Sequence, residues 1–228
     1  MGNLAEELMA ELECETAFTI PVFGGLAIPE SVAVTWLIVA VLVIVSALLT
    51  RNLKVVPATK RQIFVEFCVD KAEGFFGEIL GEHGKRYIPY LIAAVLYIGC
   101  ANLIGLFGLK PPTKDLNVTA GLAIMSIMLI EYAGLHKKGA KGFLKSFAQP
   151  MAVITPINIL EIIIKPLSLC MRLFGNVLGA FVVMELIKII MPAFLPIPFS
   201  IYFDIFDGLI QAYVFVFLTS LFMKESME

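Results

Sequence analysis

The chain has 228 residues, 59% of them hydrophobic and 16% charged, with a mean hydropathy of +0.91 and a net charge of −2. That balance excludes a water-soluble globular domain and defines a polytopic membrane protein, because one soluble core cannot hide several uncharged runs of helix length. Cys14, Cys68, Cys100 and Cys170 lack CxxC spacing, which sets aside a disulfide framework and a zinc site.

Residues 1–30 carry Glu6, Glu7, Glu11, Glu13, Glu15 and Glu30 and no base, so they lack the basic start of a secretory signal and are expected to remain as an acidic extracytoplasmic segment. Residues 31–50 are uncharged and predict the first transmembrane helix, with Trp36 suited to the outer interface. Residues 51–86 form a basic cytoplasmic connection holding Arg51, Lys54, Lys60, Arg61, Lys71, Lys85 and Arg86. Within it, Ile63, Phe64, Phe67, Phe75, Ile79 and Leu80 recur at helical spacing opposite Glu66, Asp70, Lys71, Glu73 and Glu78. Such a segment predicts an amphipathic surface helix on the membrane, although a soluble partner would suit the same face.

Residues 87–136 predict a transmembrane hairpin, its spans 87–109 and 116–135 separated by an outer turn with Pro111, Pro112, Lys114, Asp115 and Asn117. Asn117-Val-Thr matches a glycosylation acceptor, but three residues beside a membrane make a chance match the better reading. Glu131, close to the next basic stretch, is expected to form an interfacial salt bridge. Residues 137–149 are a basic cytoplasmic loop with Lys137, Lys138, Lys141 and Lys145. Lys and Arg concentrate in cytoplasmic loops, so this distribution puts the N-terminus outside and the C-terminus, with its tail 224–228, in the cytoplasm.

Residues 150–223 are the unusual part. Residues 151–191 are largely apolar and would reach about 60 Å as one helix, roughly twice the hydrocarbon thickness. Either Pro156 and Pro166 break the run into a re-entrant piece and a span, or it forms one strongly tilted, bent helix. Arg172 stands inside it, where a charge is costly and usually marks a site. Glu161, Lys165, Ser168 and Asn176 fall near the same side at helical offsets, giving a polar stripe. In the last span, residues 197–222, Asp204, Asp207 and Gln211 are spaced by three and four and share a face. With Glu185 on the preceding helix they are expected to line an aqueous access path; the plainer alternative is that the aspartates sample water at the helix end.

PLSLCMRLFGN at 166–176 and GLIQAYVFVFLTS at 208–220 resemble subunit a of F-type ATP synthases. NLIGL from Asn102, PTKDLNVT at 112–119, the Pro156/Asn158/Glu161 pattern and RNLKVVP at 51–57 extend the resemblance over residues 50–223 in family order. It implies an all-α polytopic membrane protein with five membrane-crossing segments, including a long tilted helical hairpin beside the c-ring, plus the amphipathic surface helix. It further implies a multi-pass subunit of a bacterial cell membrane that is not itself an enzyme, carries proton or sodium ions through two half-channels, and drives c-ring rotation. Its partners would be the c-subunit ring, the peripheral-stalk b subunits, the rest of the synthase and membrane lipid, with no cofactor, metal or nucleic acid.

By the same resemblance Arg172 is the essential arginine, Asn176 the polar residue one turn later, and Gln211 the glutamine that approaches the arginine. Asp204 stands where the family carries a glutamate or histidine on the access path. The family's usual acid or histidine nine residues after the arginine is Phe181 here; Glu185, one turn beyond, is expected to substitute, and Asp207 is an extra acid. Glu185 pairing with Lys188 is the alternative. Glu161, Lys165 and Ser168 are supporting polar groups. Two other classes compete: an ion-coupled secondary transporter, for which paired inverted repeats are missing, and an assembly subunit whose polar residues only hold helices together.

Overall fold

A computed structural model describes residues 16–20, 26–55, 59–146, 155–190 and 196–228. Glu6, Glu7, Glu11, Glu13 and Glu15 of the acidic segment, Pro150 and most of the connection before the last span lie outside the described residues. Strands β1 (Thr16–Ile20) and β2 (Leu26–Pro29) pair antiparallel. The helices are α1 (Glu30–Thr50), α2 (Lys60–Gly84), α3 (Ile88–Leu103), α4 (Leu116–Ser146), α5 (Thr155–Ile190), α6 (Pro196–Ser200) and α7 (Gly208–Met227). Five helical stretches are long and apolar enough to cross a membrane.

Burial follows the sequence pattern of each helix. α1 is apolar all round and buries one stripe, Ser31, Val34 and Ile38, the two apolar residues packing against Ala101 of α3. The main core gathers α3 (Leu91, Ile98), α4 (Ala123, Ile127, Ile130), α5 (Leu169, Cys170, Leu173, Val177) and α7 (Ala212, Phe215, Val216, Met223). Phe76 and Leu80 join α2 to that core, and Phe75 reaches the rings of Tyr213 and Phe217 on α7. The α2 backbone is interrupted at Gly81, whose φ of 66° favours a residue without a Cβ.

Hydrogen bonds tie the helices where lipid offers no partners. Tyr90 and Ser126 share a bond of 2.8 Å between α3 and α4, and Thr35 and Tyr97 one of 3.1 Å between α1 and α3. Asp115 caps α4: its Oδ1 accepts from the Asn117 amide at 2.9 Å and its Oδ2 from the Ser31 hydroxyl at 2.6 Å. Thr119, of the glycosylation match, is fully buried and donates to backbone carbonyls.

The long run after Pro156 is one helix. The 36 residues of α5 span about 54 Å with Pro166 inside, where the ring removes one backbone donor without ending the helix. The basic stretch expected as a loop at 137–149 is helical through Ser146, interrupted at Gly139. Glu131 corrects another expectation. Among the described residues it has no ion-pair partner, although Lys165 and Lys138 lie within electrostatic reach. Lys165 is held instead by Glu161 at 3.4 Å and by Glu225 of α7 at 3.1 Å.

Candidate functional site

α5 and α7 run antiparallel and form a hairpin whose two ends carry different chemistry. At the end beyond Arg172 toward residue 155, Lys165 packs over the Phe222 ring at 5.4 Å while bridging Glu161 and Glu225. Glu161 and Lys165 therefore serve the seam between α5 and α7. The polar stripe divides here, because Ser168, Arg172 and Asn176 are exposed.

The exposed face of α5 follows from its periodicity. Leu169, Cys170, Leu173 and Val177 recur at three- and four-residue spacing and turn toward the core. Leu160, Ile163, Ile164, Leu167, Met171 and Val183 consequently face away, with Gly175 and Gly179 among them. Arg172 sits near the midpoint of the helix on this apolar face, and no hydrogen bond or ion pair joins it to another described residue. A guanidinium there is available to an anionic group brought from outside the chain. Gln211, on α7, is buried and forms no hydrogen bond to Arg172.

Past Arg172, toward residue 190, the hairpin opens into a cavity of about 500 Å³. Glu185, Lys188 and Phe181 of α5 line one wall, and Ser200, Asp204 and Asp207 line another. The three acids expected on an access path are thus brought to one space. Asp204 and Asp207 belong to a π-helical segment, Ile201–Asp207, between α6 and α7. Its wider turn is closed by the Gly208 amide donating to the Phe203 carbonyl five residues back.

Each acid has a different neighbour. Asp204 Oδ2 accepts from the Ser200 hydroxyl at 2.6 Å, and its Oδ1 would lie 3.0 Å from a Cβ placed on Gly105. Glu185 accepts from Lys188 Nζ at 2.6 Å, so the pairing alternative for Glu185 is the arrangement found. No described residue forms a hydrogen bond or ion pair with Asp207, which lines the cavity half-buried. Among the described residues no group of three His, Cys, Asp or Glu side chains is arranged to hold a metal ion.

Two features escaped sequence reasoning. The first is a buried relay in the cavity wall: Thr113 Oγ1 donates to Asn102 Oδ1 at 2.8 Å, and Asn102 Nδ2 donates to the Gly208 carbonyl at 2.9 Å. It anchors the start of α7, where a Cβ on Gly208 would fall 2.9 Å from that of Asn102. The signal in the sequence was a lone Asn in an apolar span. The second is Lys114, expected in an outer turn but only 7% exposed, with Nζ 4.2 Å from the Phe181 ring centroid. Nothing in its local sequence distinguishes it from a solvated turn lysine.

Five helices long and apolar enough to span, with a charged hairpin and a cavity bordered by acids, define a multi-pass membrane protein. The chain belongs to the ATP synthase A chain family, whose sequence model matches residues 32–224. It is 35% identical over 197 residues to ATP synthase subunit a of Moorella thermoacetica, covering 86% of this chain and 89% of that one. It is 31% identical over 218 residues to the sodium ion specific ATP synthase subunit a of Propionigenium modestum, covering 89% and 75%. The subunit a of Geobacter sulfurreducens is 35% identical over 204 residues, covering 87% and 88%. The chain is accordingly a non-catalytic membrane subunit of an ATP synthase, in a family that couples ion translocation to the synthase.

Proposed function

We propose that this chain is the stator subunit that forms two ion half-channels and couples ion passage to rotation of a c-subunit ring. The observation that carries the reading is Arg172, an arginine on the exposed apolar face of α5 with no hydrogen bond or ion pair to any described residue. A protonated carboxylic acid crosses lipid at small cost, whereas its carboxylate is expensive unless paired. A guanidinium is a fixed positive charge in proteins, so a ring carboxylate releases its ion before meeting that of Arg172 and takes up another after leaving it. The same fixed charge disfavours leakage between the half-channels.

The cavity at Asp204 is the outer half-channel in this proposal, with the N-terminus outside and the C-terminus cytoplasmic. Asp204 is its principal acid, since Glu185 is engaged by Lys188. Asp207 concentrates cations, and Asn176 and Gln211 position water near Arg172. The exposed α5 face would meet the c-ring, while α2 would lie along the membrane surface beside the b subunits and lipid. Each charge crossing about 100 mV supplies about 2.3 kcal/mol to rotation.

Arg172→Ala tests the reading in a complex whose assembly has been verified. Ion-driven ATP synthesis is expected to vanish, and Arg172→Lys to restore it only in part, because the ammonium lacks the planar donor array. Normal synthesis by assembled Arg172→Ala complexes would overturn the assignment.

A further inference from the structure

Asp204 is held from two sides by residues that carry no charge. Its Oδ2 accepts from the hydroxyl of Ser200, four residues earlier, at 2.6 Å. Its other flank rests on Gly105, in the 3₁₀ turn Ile104–Phe107 that follows α3. A Cβ at Gly105 would meet Oδ1 at 3.0 Å, Cγ at 3.3 Å and Oδ2 at 3.6 Å, so the carboxyl group as a whole packs against the glycine. All three residues border the cavity.

The backbone that carries Asp204 is tied down as well. Asn102, three residues before Gly105, donates to the carbonyl of Gly208, four residues after Asp204, at 2.9 Å. The end of α3 thus holds the π-helical segment at two levels, by a hydrogen bond at Gly208 and by a steric seat at Asp204. Gly108, with φ of 77°, needs glycine for its backbone; Gly105 has no such conformation, so what matters there is the missing side chain.

Left to itself, an aspartate carboxylate turns freely, because its χ2 well is broad and roughly two-fold. A hydrogen bond to one charged oxygen, with a wall against the other, removes that freedom. Among the described residues no donor reaches Oδ1. A proton placed on Oδ2 would compete with the Ser200 hydroxyl, whereas one on Oδ1 leaves that bond intact.

We infer that Gly105 and Ser200 are positioning residues of the ion path, seating the Asp204 carboxylate so that Oδ1 is the atom that takes up and releases the ion. The inference rests on the reading of the cavity as an access path with Asp204 as its principal acid.

Ion uptake by the reconstituted complex, with assembly verified, tests it. A misplacement of about 1 Å can cost about a hundredfold at a reacting centre, so a carboxylate moved by a few tenths of an ångström should cost about threefold to tenfold. Ser200→Ala and Gly105→Ala should each lower uptake by that factor. Ser200→Thr, which keeps the hydroxyl, should stay within about twofold of wild type, whereas Ser200→Cys, nearer to serine in size but a weak donor, should fall with alanine. A packing role ranks threonine and cysteine the other way. Wild-type uptake by assembled Ser200→Ala, or threonine more impaired than cysteine, overturns the role of Ser200; wild-type uptake by assembled Gly105→Ala overturns the seat. If Gly105→Ala does not assemble, the Ser200 series decides alone. Asp204→Asn is the separate control: intact uptake there means that the access-path reading has failed, whatever the seat variants do.

Discussion

Asn102 offers a test in which the magnitude can be worked out bond by bond. Its side chain accepts from Thr113 at 2.8 Å and donates to the Gly208 carbonyl at 2.9 Å, in a site where Asn102 is 4% and Thr113 0% exposed. Asn102→Ala removes both bonds, at about 0.6 to 1 kcal/mol each, and orphans the Thr113 hydroxyl at about 1 kcal/mol or more. The sum is about 2 to 3 kcal/mol. Thr113→Val removes only one bond but leaves the buried Asn102 Oδ1 without its donor, so it should cost about 1 to 2 kcal/mol. The double variant should then be less destabilised than the two singles added, by about 2 kcal/mol or more, because the Thr113–Asn102 bond is counted once and no orphan remains. Reversible unfolding in mixed micelles titrated with denaturing detergent measures all four corners of the cycle. Ion uptake should fall several-fold as well, since Gly208 ties down the segment that presents Asp204 and Asp207. A loss below about 0.5 kcal/mol for Asn102→Ala, or strict additivity in the cycle, would refute the relay as a structural anchor.

Asp204→Asn should lower reconstituted ion uptake by about tenfold or more, whereas Asp207→Asn should lower it by less than about threefold if Asp207 only concentrates cations. Glu185→Gln should leave most uptake intact and show mainly as reduced stability, because it breaks the 2.6 Å pair with Lys188; full loss of uptake would return Glu185 to the path. Lys165→Met should destabilise the α5–α7 seam by less than about 1 kcal/mol in detergent unfolding, its partners Glu161 and Glu225 being 45% and 57% exposed. A cost above about 2 kcal/mol would show that the seam is less hydrated than that.

The spans were legible because lipid imposes one requirement, a helix-length run without charge, that composition alone can reveal. α1 is marked by its uncharged residues 31–50, and the α5–α7 hairpin by the cost of Arg172 and the acids beside it. That Glu185, Asp204 and Asp207 meet in one cavity was also readable, since two antiparallel helices place residues before and after a short turn together. Partner choice was not readable. Lys165 had Glu161 one turn away and Glu131 on another helix, and it takes Glu161 together with Glu225 from the far end of the chain. Among the described residues Glu131 is left without an ion pair, because such contests are decided by helix packing, which no local spacing encodes. Lys114 was hidden for a related reason: a turn rich in proline and charge reads as solvated unless neighbouring helices close over it. The β1–β2 pair was not readable either, because its strands, five and four residues long, show no polar–apolar alternation.

The wide turn at Ile201–Asp207 bears on how such a chain changes over evolutionary time. A π-helical turn holds one residue more than the α-helix it interrupts, and it usually persists where that surplus is useful. Loss of a single residue from this segment would let the turn close as ordinary α-helix. Everything from Gly208 onward would keep its packing, while Asp204 would swing by about 100° around the axis relative to Gln211. One deletion or insertion here thus re-aims an acid without redesigning the helix that carries it. Related chains that differ in where their carboxylates sit along this hairpin can be reached from one another by changes in length as readily as by substitution.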